Sequence, residues 1–213
     1  MSAKFILIEG GDGSGKSTLV RNLAAALENE GKSVVTTREP GGSPKAEEIR
    51  RLILQRETGD NFSPDAEMLL FYAARMQHLF DTVVPALKRG GVVICDRFEV
   101  STYAYQIHAR NGNKLLFAKL HQEVVRHLLP LEGVTCVYAH CDIDPDLAAK
   151  RMSLAGRTLP DVFDDREQAF HELVREGYRV APNHLDPMFR HVALDASQTP
   201  DEVLAELRSK VNI

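Results

Sequence analysis

The chain has no tryptophan and only three cysteines among its 213 residues. It also has no surplus of positive charge and no apolar run near the ~20 residues that a bilayer-spanning helix needs. Each shortage excludes something. Cys95, Cys136 and Cys141 are odd in number, show no C-x-x-C spacing and fall in apolar strand-like runs. They read as buried, reduced thiols and not as a disulfide framework. Without a long apolar run, no membrane span is expected. Met1-Ser2-Ala3-Lys4 leads straight into the first strand-like run, so no signal peptide is expected either, and a cytoplasmic location follows by default. A net charge of −4 argues against a nucleic-acid binder held by a broad basic surface, but leaves room for a small basic pocket. The eight histidines show no H-E-x-x-H spacing, and His121 and His127 fall on different faces of one helix. A structural metal is not expected. There is no repeat, low-complexity tract or dividing linker, so residues 1–213 read as one domain with a sizeable core.

Against these absences stands one motif. Gly10-Gly11-Asp12-Gly13-Ser14-Gly15-Lys16-Ser17 fits G-x-x-x-x-G-K-[ST], a phosphate-binding loop, and Thr18 extends the donor-binding stretch into the following helix. An apolar strand at 5–8 precedes it and a helix at 17–30 follows, the context such a loop requires. Glycines let backbone N–H groups turn around phosphate oxygens where a Cβ would crowd them. The helix start adds partial positive charge. Lys16 is expected on the β- and γ-phosphates, and the Ser17 hydroxyl on Mg²⁺. A nucleoside triphosphate is the expected ligand.

Strand-type runs recur at 5–8, 33–37, 92–95, 134–141 and 191–194. Helical patterns separate them at 45–55, 64–89, 114–129, 145–155, 165–181 and 200–211, with Pro85 placed to kink or divide the longest. This alternation predicts an α/β fold: a doubly wound, five-stranded parallel sheet with helices on both faces. Ligands in such sheets bind at the carboxyl ends of strands. Those ends carry Asp12, the string Arg38-Glu39-Pro40-Gly41-Gly42, and Asp96-Arg97.

The motif alone admits several classes. A guanine-nucleotide switch needs N-K-x-D, and Asn111-Gly112-Asn113-Lys114 has the wrong order. Motor-type ATPases run longer and carry two acidic residues where this chain has Asp96 followed by Arg97. Taken alone, Asp96-Arg97 reads equally as a surface ion pair. Beside a phosphate-binding loop it suits a small-molecule kinase, with Asp96 holding the Mg²⁺ hydration shell and Arg97 aimed at a phosphate.

Several further blocks, in order, resemble the thymidylate kinases, the dTMP kinase group of nucleoside monophosphate kinases. They are Ile8-Glu9-Gly10, Thr37 to Gly42, Ala46 to Arg50, Glu67 to His78, Pro85-Ala86-Leu87, and Asp96-Arg97-Phe98 with Ser101 to Gln106. The resemblance implies the reaction ATP + dTMP to ADP + dTDP, and a homodimer. It implies that Phe71 stacks on the thymine ring and that Arg75, one turn on, bonds the base. Thr102 and Gln106 would lie near the base edge, Tyr105 against the sugar, and Glu39, Arg50 and Arg97 around the monophosphate. Asp12 would approach the acceptor's 3′-hydroxyl and phosphate; Arg38 would brace its loop. Read without the family, Phe71 would simply be core. The acceptor phosphate already carries the attacking oxygen, so positioning and charge neutralisation are the expected catalysis.

Two regions depart from the family pattern. Ile107 follows Gln106 where a glycine is usual, adding bulk near the base-reading residues. The lid, at about 152–165, lacks the usual arginine-rich string, and Gly13 stands where another branch carries an arginine. Arg157 and Arg151 are therefore the candidates for the catalytic arginine, with Arg166 a distant third. The changed lid and Ile107 keep open a kinase of dUMP or a 5-modified relative, and a weakly catalytic nucleotide-binding protein.

Overall fold

A computed structural model describes residues 3–54, 62–156 and 168–213. Five strands form one all-parallel sheet: β1 (Lys4–Glu9), β2 (Val34–Arg38), β3 (Val92–Asp96), β4 (Thr135–Asp142) and β5 (Phe189–Asp195). Their order is β2-β3-β1-β4-β5. β1 is central and hydrogen-bonded to β3 and β4, which brings its carboxyl end between theirs.

The helices are α1 (Lys16–Asn29), α2 (Pro44–Leu54), α3 (Pro64–His78), α4 (Val84–Lys88), α5 (Glu99–Thr102), α6 (Lys114–Leu128), α7 (Pro145–Leu154), α8 (Gln168–Val180) and α9 (Pro200–Val211). Local chemistry sets several of their starts. Ser63, Asp144 and Thr199 each accept a backbone N–H at a helix N-terminus, and each is followed by a proline, whose missing N–H costs nothing there. Thr199 and Glu202 complete a reciprocal capping box.

Strand alternation sends neighbouring side chains to opposite faces of the sheet. Phe5, Leu7, Val93, Cys95 and Tyr138 pack on one side with Met68, Tyr72, Phe117 and Tyr178. Ile6, Ile8, Ile94, Val137 and Ala139 pack on the other with Leu19, Leu23, Leu27 and Leu207. Both faces of the sheet are covered, as the short uninterrupted apolar runs require.

The long helical stretch ending near 89 is divided, and Pro85 is the reason. Residues Leu79–Val83 form a π turn, with the Val84 N–H bonded to the Leu79 carbonyl. A proline cannot donate to the preceding turn, so the ladder slips by one residue before it. A second π segment, Tyr103–His108, follows α5, and Ala109 N–H reaches Ala104 O at 3.0 Å. Tyr105 and Gln106 therefore lie on a widened turn. α8 crosses it closely: a Cβ at Gly177 would come within 2.8 Å of Ala104 Cα and 2.9 Å of the His108 side chain. Only glycine permits that approach, and it brings Tyr178 over the sheet's carboxyl edge.

Candidate active site

One cavity of about 1070 Å³ opens at the carboxyl ends of β1, β2 and β3. Phe71, Arg75, Thr102, Tyr105 and Gln106 line one end. Asp12, Lys16, Ser17, Asp96 and Arg97 lie along the middle, and Arg151 with residues 196–200 closes the other end. The donor loop and the residues expected for the acceptor thus share one cleft, as do Thr18, Glu39 and Arg50.

The loop is tight. Lys16 is buried, and its ammonium donates to Gly11 O at 2.6 Å. Burial lowers the Lys16 pKa, and the Arg97 charge adds to that. Gly13 has φ +76°, and a Cβ there would fall 2.5 Å from the Ala148 carbonyl of α7. No side chain fits at that position without moving α7, so this loop is built without an arginine of its own. Ser17 Oγ donates to Asp96 Oδ2 at 2.9 Å. Two oxygen donors side by side, beside a phosphate-binding loop, suit a hard cation that keeps most of its waters.

Arg97 occupies the centre. Its backbone is left-handed, with φ 69°, and its N–H donates to Ile8 O at 2.9 Å. Its guanidinium donates to the Asp12 carboxylate, to Gly10 O at 3.1 Å, to Ser101 Oγ at 3.2 Å and to Tyr178 Oη at 2.9 Å. Burial alone would raise the Asp12 carboxyl, but Arg97 and Lys16 outweigh it and hold it at about 2. Tyr105 donates to the other Asp12 oxygen at 3.4 Å, with its ring 5.5 Å from the Arg97 guanidinium.

Below this cluster, Glu9 is fully buried at the end of β1. It accepts from Phe98 N–H at 2.7 Å and from Ser101 Oγ at 2.5 Å. Burial raises its carboxyl to about 7, against the pull of Ser101, Arg97 and the Phe98 amide.

At the far end Arg75 is 1% exposed and lies between the rings of Tyr72 and Phe98, 4.6 and 4.8 Å from their centroids. Its Nε donates to Glu39 Oε2 at 2.7 Å and its Nη2 to Thr102 Oγ1 at 3.1 Å. Its Nη1 is buried and finds no partner among the described residues. A buried guanidinium nitrogen left over in a cavity wall is a donor set aside for a ligand acceptor. Glu39 does not face that ligand freely. Its second oxygen bonds His78 Nδ1 at 2.9 Å, and His78 Nε2 meets Thr37 Oγ1 at 2.8 Å. Glu39 is thus a brace between two elements. Arg50 donates to Pro40 O at 2.8 Å, tying α2 to the Glu39-Pro40 turn.

A sequence comparison decides what this cleft belongs to. The family model described as thymidylate kinase matches residues 8–207. A thymidylate kinase from Cereibacter sphaeroides (strain ATCC 17029 / ATH 2.4.9) is 44% identical over 202 residues, 94% of this chain and 90% of that one. One from Pseudomonas putida (strain GB-1) is 41% identical over 97% of this chain and 94% of its own length. One from Caulobacter vibrioides (strain ATCC 19089 / CIP 103742 / CB 15) is 39% identical over 97% and 95%. The chain belongs to the thymidylate kinase family.

Within that family's frame, two expectations need revision. Ile107 does not add bulk at the base; it is 1% exposed, packed in the core, and does not line the cavity. Consecutive residues on a helical turn point in different directions, and Ile107 points into the core. Arg151 lines the cavity, but its guanidinium donates to Ala196 O at 2.6 Å and Ser197 O at 2.9 Å, so it braces the loop before α9. Arg157 and Arg166 lie outside the described residues, as does most of the expected lid. Three residues escaped the sequence reading of the site: Tyr178, His78 and Glu67. Their partners are 39 to 168 positions away. The one local signal was the Gln77-His78 pair beside Arg75.

Proposed function

We propose that the chain transfers the γ-phosphoryl group of ATP to dTMP, giving ADP and dTDP. The observation that carries this is the two-ended cleft: a phosphate-binding loop at its middle, and at one end a buried Arg75 with one nitrogen unspent beside Phe71. Phe71 would stack on the base, and Arg75 Nη1 would donate to its 4-carbonyl. Tyr105 would pack on the sugar, and Arg97 would meet the acceptor phosphate while clamped by Asp12. Lys16 would turn from Gly11 O to the donor phosphates.

Ser17 and Asp96 would hold Mg²⁺, which when bound would supply positive charge to offset that of the donor phosphates. The residues do the rest by placement. The attacking oxygen belongs to the acceptor phosphate, so no base is required, and Arg97, Lys16 and Asp12 fix the line of transfer. With Arg151 committed to carbonyls at the donor-base end, Arg157 becomes the candidate for the arginine that neutralises the transferring group. The burial of Ile107 removes one of the two motives for a dUMP or 5-modified substrate.

The reading also carries a homodimer, supported by exposed Leu52 of α2 and Leu69 of α3. A cytoplasmic location is supported by three buried, unbridged cysteines. Among the described residues no helix is long and apolar enough to cross a membrane. A panel of dTMP, dUMP, dCMP and UMP with ATP tests the assignment. dTMP should give the highest kcat/KM; a clear preference for another monophosphate would overturn it.

A further inference from the structure

The acceptor end of the cleft contains an amide whose orientation is set from outside the cavity. We propose that Glu67, together with Arg110, fixes the Gln106 side chain with its carbonyl oxygen toward the base. The site would then select a pyrimidine that carries a proton on N3 over one that does not. This rests on reading that end as the monophosphate pocket.

Glu67 lies on α3, is 5% exposed, and does not line the cavity. Its Oε2 receives Gln106 Nε2 at 2.8 Å, and the same oxygen receives Arg110 Nη1. Arg110 is held in turn by Phe62 O at 3.0 Å. A guanidinium keeps its protons at any working pH. The Glu67 oxygen that receives Arg110 is thereby an acceptor, not a donor. The Gln106 atom that faces it must therefore be nitrogen. Turning the amide over would press its carbonyl oxygen against a buried carboxylate oxygen and leave Nε2 without that acceptor, a costly exchange at a site 1% exposed.

With Nε2 committed outward, Oε1 is the polar atom Gln106 has left for the cavity it lines. No bond to it is made by the described residues. Arg75 contributes the opposite character, a buried donor at Nη1. One acceptor and one donor match a ring with N3–H and a 4-carbonyl. Cytosine presents the reverse pair, an unprotonated N3 and a 4-amino group. Its binding would leave like groups facing each other, the kind of mismatch that a polar site rejects strongly. Glu67 and Arg110 act through Gln106 and are positioning residues.

The test is steady-state phosphorylation of dTMP and dCMP by wild type, Glu67→Gln and Arg110→Gln. Glu67→Gln keeps the volume but can present either end of an amide to Gln106. We expect its dTMP-to-dCMP ratio of kcat/KM to fall about tenfold or more, through a raised KM for dTMP with kcat little changed. Arg110→Gln should move the ratio the same way by less. A merely structural role would reduce active enzyme for both nucleotides alike, so an unchanged ratio in a folded variant overturns the proposal. If Glu67→Gln does not fold, the Arg110→Gln ratio decides. Wild type that does not prefer dTMP would instead overturn the functional reading on which this rests.

Discussion

Replacing Glu9 with glutamine should change how stability responds to pH. Glu9 is fully buried beneath the phosphate-binding loop, and its carboxyl is raised from 4.5 to about 7. In the unfolded chain it titrates near its ordinary value. Between the two values the folded state holds a proton that the unfolded state has released, so stability falls as pH rises through that window. A displacement of about 2.5 pH units, at about 1.4 kcal/mol each, amounts to about 3 kcal/mol lost above pH 7. Two histidines pull the other way. Burial lowers His140 and His191 to about 4. Over the interval up to their ordinary 6.5 the unfolded chain binds the extra protons, and stability rises with pH. Asp12, held at about 2, titrates below the Glu9 window. The wild-type profile therefore mixes opposing slopes, and the difference between wild type and Glu9→Gln isolates one carboxyl. Urea unfolding followed by far-ultraviolet circular dichroism suits a chain without tryptophan. Relative to wild type, the variant should gain about 3 kcal/mol between about pH 4.5 and about pH 7.5. A difference that stays constant over that range would refute the reasoning.

Further predictions concern the cleft. Arg97→Ala should lower kcat by about 10²- to 10³-fold with a much smaller change in KM for ATP, since it removes the donor placed at the acceptor phosphate; equal kcat values would remove that role. Phe71→Ala should raise KM for dTMP about tenfold, the worth of one base–aromatic stack, and an unchanged KM would return Phe71 to the core. In single-turnover assays Arg157→Ala should slow transfer about 10³-fold. Arg151→Ala should mainly weaken ATP, because it frees the 196–198 loop; the reverse pattern would exchange their roles. Gly13→Arg should not supply a catalytic arginine but raise KM for ATP more than about tenfold, since its Cβ meets Ala148 O. Retained ATP affinity would show that α7 yields.

Much of this architecture is written locally. The five strand runs are short and apolar because both sheet faces are covered, and α9 begins and ends where its pattern does. The phosphate-binding loop is contiguous, so its residues come together by necessity. Pro85 announces a break, and a π turn is the form it takes. The second π segment had no such marker. It packs closely against α8 at Gly177, about 70 residues further on, an approach that no local pattern shows. The same limit applies within the site. Phe71 and Arg75 are legible as one helical face. That Glu39 would be spent on Arg75 and His78, that Tyr178 would reach Arg97, and that Glu67 would hold Gln106 are consequences of packing between distant segments. Ile107 misled because sequence adjacency to Gln106 is not a shared face: neighbouring residues on a helical turn diverge, and Ile107 packs in the core.

The central claim is that one cleft joins a donor and an acceptor nucleotide. Its most direct measurement is product stoichiometry with ATP and Mg²⁺, with and without dTMP. The account predicts negligible ADP from ATP alone, and one dTDP for each ADP once dTMP is added. ADP formed at the same rate without dTMP, or with no dTDP beside it, would contradict it.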